Sequence, residues 1–362
     1  MLFRSNIDFN ASVGQTTRLD QLRIVSVTNA TFDQAVSAES ILQDAGSGTT
    51  TFTGMINTNT TPGTNLTGTM LVLNGGVTST TSGVLTATMT NTITVGPSTT
   101  SSVNGAVTLN ANNGITMQTS AVLSSAAAVL FKTTSNSITL QSAAQLSSTG
   151  ANVVLEAEDS ISLAANSVVS ASVADLILCS GLDSTDGTGS MTLDGTLQAP
   201  AAGKTVTLDL NDEQGATQNT TTGRILAPNL RLLSNSTNSA SFSLLAGTRN
   251  DVDVIAASTS GFVRYSDLDD LTIGSVAASS GIAALAGITT VNSVTEGAAV
   301  AITANGSLTA NQPIRTSPSA AAGSLVVGTV DLQSTTSLIS ITDNADIFAD
   351  GAVSFTAAGG IQ

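Results

Sequence analysis

The chain has no tryptophan, no histidine, one tyrosine and one cysteine, and only 10% of its 362 residues are charged. Each shortage removes a class of chemistry. Without histidine neither a Ser-His-Asp triad nor a Cys-His pair can be assembled, and zinc loses its commonest nitrogen ligand. Cys179 has no partner for a disulfide within the chain, so stability must come from packing and hydrogen bonding. Ten lysines and arginines, scattered singly, face 25 acidic residues. The formal charge of −15 leaves no basic stripe to track phosphates, and nucleic acid is not an expected partner. Apolar runs such as Leu176-Ile177-Leu178-Cys179 are far too short for a membrane-spanning helix. The first fifteen residues contain no apolar stretch of the kind a signal peptide needs.

The space is filled by Thr, Ser, Ala, Asn and 32 Gly, with apolar positions given mostly to Val, Leu and Ile. These are residues of short strands and tight turns. Disorder is the natural rival for so Ser/Thr-rich a chain, but it requires low hydrophobicity, and the mean hydropathy is +0.29.

A repeat runs through the middle. Ile115, Ile138 and Ile161 are 23 apart, as are Met117, Leu140 and Leu163, and Leu123, Leu146 and Val169. Val107, Leu130, Val153 and Leu176 give a fourth column at the same spacing. A second offset of 15 links Ile115 to Leu130 and Ile138 to Val153, and it resumes at Met191 and Val206 after a seven-residue insertion around Asp183 to Ser190. Only an architecture in which each coil touches its neighbours alone tolerates such an interruption. The insertion is therefore expected to form an exposed loop.

Within columns the alternation has period two, as in Val107-Thr108-Leu109, which is strand patterning with apolar residues inward and Thr or Ser outward. The best helical stretch, Ala126 to Ala128, is too short to nucleate. Asn113-Gly114, Asn136-Ser137 and Asp159-Ser160 mark a recurrent turn that invites a side-chain ladder. The expected fold is all-β, a parallel β-helix (β-solenoid) of about 23 residues per coil. It is most regular over 105–208, and 6–362 is expected to form one continuous domain. Residues 1–5, reading as a translated sequencing adapter, are expected to be non-native. Length alone implies roughly fifteen coils, and about 70 Å at the usual strand spacing.

Carboxylates gather at Asp209, Asp212 and Glu213, at Asp251 and Asp253, and at Asp267, Asp269 and Asp270. Oxygen-rich turns of this kind are calcium candidates, although Asp251 and Asp253 alternate with Val252 and Val254 as a solvated outer face would. No EF-hand spacing or nonapeptide calcium repeat is present. Some parallel β-helices cleave acidic polysaccharides with carboxylates, calcium and an arginine base, but no arginine sits with paired carboxylates in the regular coils. No cofactor and no catalysis are expected. Cys179, aligned with Asn110, Thr133 and Glu156, is expected to point outward with no basic neighbour to activate it. Glycosylation sequons at Asn29, Asn65 and Asn219 are expected by chance in a Thr-rich chain. An ice-binding face would need a regular outward Thr array, whereas Thr108, Lys132, Val154 and Ile177 beside the second apolar column are irregular.

The stretches Asn6-Ile7-Asp8-Phe9-Asn10 through Thr49-Thr50-Thr51-Phe52-Thr53-Gly54, and Leu268-Asp269-Asp270-Leu271-Thr272-Ile273-Gly274 followed by Val300 to Thr309, carry a likeness. They resemble the repeat regions of filamentous-haemagglutinin-like large exoproteins and autotransporter-type adhesins of bacteria. The resemblance implies a right-handed parallel β-helix exported across the outer membrane, part of a longer chain, with a structural and adhesive role. The partners it implies are glycans or the surface of a host or neighbouring cell.

Overall fold

The computed structural model describes residues 5–181, 189–211, 215–234, 240–246, 248–291, 299–316, 328–349 and 351–362. Among these residues every regular element is a strand. The strands stack in parallel as a β-solenoid of about 14 turns, with about 23 residues per coil. No helix among the described residues is long and apolar enough to cross a membrane. The chain divides into two compact units, Met1–Glu158 with Ser162–Ser172, and Asp159–Ile161 with Val173–Gln362.

In the first unit a typical coil is built from three strands, such as Gly114–Met117, Val122–Ser125 and Val129–Thr133. Each strand alternates one buried with one half-buried residue, because successive side chains point to opposite sides of a pleated strand. The first strands of successive coils place Ile7, Ala30, Thr50, Leu71, Ile93, Ile115 and Ile138 opposite one another. Coil length therefore varies from 20 to 23 residues in the part of this unit where sequence alone gave no phase. The adjoining inward column starts with aromatics: the rings of Phe9, Phe32 and Phe52 stack with centroids 4.8 and 4.6 Å apart. Ring stacking at this spacing adds to the area the phenylalanines bury. Leu73, Val95, Met117 and Leu140 continue the column.

The expected columns through Ile115 and Leu123 are observed, with Ile115 opposite Ile138 and Leu123 opposite Leu146. The column through Leu130 is corrected by one residue. Val107 pairs with Val129, and Val129 pairs with Val153. Leu130 therefore points outward between Thr108 and Val154, while Phe131 is inside and fully buried. Coils at this corner are 22 and 24 residues long, because the bend before Val129 has three residues and the bend before Val153 has four. The same shift moves Lys132, not Thr133, into line with Asn110 and Glu156, where Lys132 and Glu156 form an ion pair at 2.7 Å.

The two side chains separate in experiment. Phe131→Ala should cost about 3–5 kcal/mol, the usual penalty for emptying an aromatic site in a core, and Leu130→Ala under about 1 kcal/mol. Urea unfolding of the two variants checks the register. Equal losses would return Leu130 to the core.

Corner ladders form in part. Asn113 donates to Asn91 at 3.0 Å and Asn29 to Asn6 at 2.9 Å, whereas the Asn136 carbonyl oxygen accepts from its neighbour Ser137. Coils approach so closely at one corner that a Cβ on Gly75 would lie 2.1 Å from the carbonyl carbon of Gly54, so only glycine fits there.

The second unit uses the same plan with longer coils. Met191, Ala216, Phe242, Val263, Val300, Val330 and Val353 stand opposite one another. Steps run from 21 to 37 residues. Leu176 pairs with Val206 and Leu178 with Leu208, which is the 30-residue step expected from the insertion. Residues 182–188 of that insertion lie outside the described residues, as do residues 1–4 of the adapter-like start. Arg224–Ser234 and Asp251–Thr259 are unusually long strands, and each runs across a corner that other coils bend around. Pro228 sits mid-way in the first, where Leu226 and Ala227 pair with Asp251 and Val252, and pairing resumes at Asn229 with Val254. A proline has no N–H for a ladder, so the register skips it.

Candidate functional site

The acidic residues of the second unit come together where three segments meet. Asp251 and Asp253 open the strand Asp251–Thr259, Asp267 closes the strand Val263–Asp267, and Asp269 and Asp270 occupy the turn before Leu271–Ile273. Burial raises the Asp269 carboxyl above its ordinary value, and the neighbouring charges of Asp251 and Asp270 push it the same way. Such mutual repulsion requires the carboxylates to share one region.

They are not equivalent. The alternation expected at Asp251 to Val254 breaks, because the register skip beside Pro228 leaves Asp253 exposed and Val254 half-buried, with Ile255 as the next inward residue. Asp267 departs further from the solvated reading. It is 1% exposed and follows Val263 and Tyr265 at the next inward position of its strand. Its Oδ1 accepts the Tyr265 hydroxyl at 2.6 Å and the Val252 N–H at 3.2 Å, and its Oδ2 accepts the Asp269 N–H at 3.3 Å. Burial outweighs these donated hydrogen bonds and pushes the carboxyl up to about 7. Tyr265 is driven well above its ordinary value, first by burial and then by the adjacent Asp267 charge. Asp267 and Tyr265 thus form one buried polar unit.

Next to it lies a second such unit. Gln218 and Asn250 exchange amide hydrogen bonds at 2.8 and 3.0 Å, and Asn250 also accepts the Ile225 N–H and donates to the Ser266 carbonyl. Buried amides are tolerable because these bonds satisfy them.

Two shallow depressions flank the acidic region. One is lined by Pro200, Arg224, Pro228, Asp251 and Asp253, with Arg224 Nε donating to the Arg249 carbonyl at 3.2 Å. The other exposes Thr220, Thr248, Thr303 and Asn305 above Asp267. Hydroxyls, an amide and a carboxyl that titrates near neutrality can bind a hydroxyl-rich ligand through donated and accepted hydrogen bonds. Among the described residues no three acidic or cysteine side chains converge to hold a metal ion. Asp209 stands apart, half-buried opposite Cys179 and Leu233, with its carboxyl raised by burial. Asp212 and Glu213 lie outside the described residues. Cys179 is half-buried.

The outward columns show a feature that the sequence reading missed. Thr31, Thr51, Val72, Thr94, Thr116 and Thr139 stand opposite one another on the first face of the first unit. The adjoining outward column reads Thr49, Met70, Thr92 and Gly114. A single interrupted column is not the regular array that ice would demand. On the other face Thr108 aligns with Leu130 and Val154, so that face is irregular too.

Comparison with protein-family profiles, with curated proteins and with solved structures returned no match. The chain is described by its own geometry: a β-solenoid repeat protein whose outward positions are mostly small and polar.

Proposed function

We propose that this chain is a structural segment of a longer repeat protein that a bacterium exports to its surface or secretes, and that its role is adhesive contact without catalysis. The observation that carries this reading is the outward face of the first unit. Thr31, Thr51, Thr94, Thr116 and Thr139 repeat coil after coil above an aliphatic and aromatic interior, giving a hydroxylated surface with little charge. Such a surface is soluble and offers hydrogen bonds to glycans or to a neighbouring or host cell surface. The depression over Asp267 supports a glycan in particular, since hydroxyl and amide groups line it.

A second reading is favoured by the groove that places Arg224 beside Asp251 and Asp253. A calcium-dependent polysaccharide lyase needs cationic and anionic groups in one cleft. The purified chain, assayed for adherence to cells and immobilised glycans and for polysaccharide cleavage with and without calcium, distinguishes the two. Adherence without turnover is the expected result. Calcium-dependent cleavage that disappears in Asp251→Asn and Asp253→Asn would replace the adhesive reading by the lyase, and neither activity would leave a passive stalk.

A further inference from the structure

Between Leu271–Ile273 and Ile288–Thr290 the chain leaves the solenoid and returns. The neighbouring strand Asp251–Thr259 runs straight past the departure point, pairing with the first segment through Val254 and Ile255 and with the second through Ala257 to Thr259. The two ends of the excursion are tied together: Gly287 N–H donates to the Gly274 carbonyl at 2.9 Å, and the same Gly287 accepts from Ala257. Gly287 has φ of +72°, and a Cβ there would lie 2.0 Å from the Pro313 carbonyl oxygen. The closure needs glycine.

The excursion itself is an antiparallel hairpin, Ser275–Val276 against Leu285–Ala286, in a molecule whose other strand pairings among the described residues are parallel. It turns at Ser280 and Gly281, whose φ values of 53° and 82° suit the tight turn that matches strand twist. Above and below the turn Ser279 and Ile282 exchange hydrogen bonds at 3.0 and 2.8 Å.

The hairpin lies on the outer side of the sheet, packed against Arg224–Ser234 and Asp251–Thr259. Beneath it one outward column crosses four coils, with Ile177 opposite Thr207, Thr207 opposite Arg231 and Arg231 opposite Ala256. Outward residues are ordinarily wet, yet all four are buried, Arg231 completely. Arg231 donates to the Ala277 carbonyl of the hairpin, and its Nε has no hydrogen-bond partner. From the other side the Ser280 hydroxyl donates to Asp175 at 2.5 Å. Burying a guanidinium is costly unless something fastens over it and supplies acceptors.

We propose that residues 275–286 are a detachable clasp, a cassette that can be removed without disturbing the coil it interrupts and that fastens four successive coils by covering the Ile177–Thr207–Arg231–Ala256 column. The surface beneath is an interaction face whose partner is this chain's own hairpin. Without the clasp Arg231 meets water and is solvated, so removal strands no buried charge. Only the fastening is lost.

Two variants test the clasp. In the first, 275–286 is deleted and Gly274 is joined to Gly287 through one added glycine. The strand signature in far-UV circular dichroism should persist. Amide exchange in Leu176–Ser180, Thr205–Leu210 and Asn229 to Ser234 should accelerate at least tenfold, with Val300–Ala304 and Val330–Ser334 unchanged. Unchanged exchange beneath the hairpin would show that nothing is fastened, and acceleration throughout the second unit would show that the hairpin is part of the core and not a cassette. In the second, Arg231→Met in the full chain removes the pin and keeps the volume. Proteolytic cleavage within 278–283 should quicken at least tenfold while the dichroism holds. Cleavage at the original rate would overturn the pinning by Arg231.

Discussion

Raising the pH from 4.5 to 8 destabilises the second unit, and Asp267→Asn abolishes that loss. The Asp267 carboxyl titrates at about 7 in the folded chain against an ordinary value of 3.8. Between those two values the folded state binds a proton that the unfolded state has released, so stability falls as pH rises through the window. Below about 3.8 the two states are protonated alike and the penalty vanishes. Above about 7 it is complete, on the order of 4 kcal/mol for a shift of this size. The groups facing Asp267 reinforce the direction: Tyr265 and Asp269 are both raised, and Asp251, Asp253 and Asp270 add negative charge nearby.

An asparagine at 267 keeps an acceptor for Tyr265 and Val252 but presents an amide to the Asp269 N–H, which should cost about 1 kcal/mol. The variant is therefore less stable than the parent at pH 4.5 and more stable at pH 8. Tyr265 is the chain's one tyrosine and there is no tryptophan, so intrinsic fluorescence during urea unfolding reports this location alone. If the parent's midpoint did not fall with pH, or if the variant kept the same slope, Asp267 would not be the titrating group.

How much of this could be read in advance varies with local composition. Ile115, Ile138, Leu123 and Leu146 were legible because each inward residue is flanked by Thr or Ser, so alternation fixes both the strand and its phase. At Val129-Leu130-Phe131 every residue is apolar, alternation carries no phase, and a fixed 23-residue spacing selected the wrong one. Toward the start of the chain the coils shorten to 20 residues, and a column of mixed Ala, Thr and Leu hides its own period. Asp267 was listed with exposed carboxylates because acidic residues cluster around it. The signal against that was the inward alternation Val263, Tyr265, Asp267, in which the one aromatic hydroxyl of the chain precedes an acid by two positions. The hairpin over Arg231 was not legible, since its strands are two residues each and the residues that anchor it, Asp175 and Arg231, lie far away in sequence.

Ile138→Asp should give the largest loss of all, above about 4 kcal/mol, while Thr139→Ala should change stability by less than about 0.5 kcal/mol. Adjacent positions on one strand differ this much because the pleat turns them to opposite sides. Ile138 is fully buried opposite Ile115, among aliphatic side chains of its own and the preceding coil, and no cation faces it. An aspartate there must stay ionised without a partner or take up a proton, and either way it forfeits the burial of the isoleucine side chain. Thr139 stands half-exposed in line with Thr116, and its loss removes a methyl and a hydroxyl that water also reaches. Because each coil rests on its neighbours, the damage from Ile138→Asp should spread first through Gly114–Met117 and the rest of that coil. Hydrogen exchange resolved by segment reads this directly: amides of Ile115 and Met117 should lose protection before those of Ala30–Phe32. Equal melting of the two variants, or loss spread evenly along the first unit, would contradict the inward placement of Ile138 and the coil-by-coil transmission of its removal.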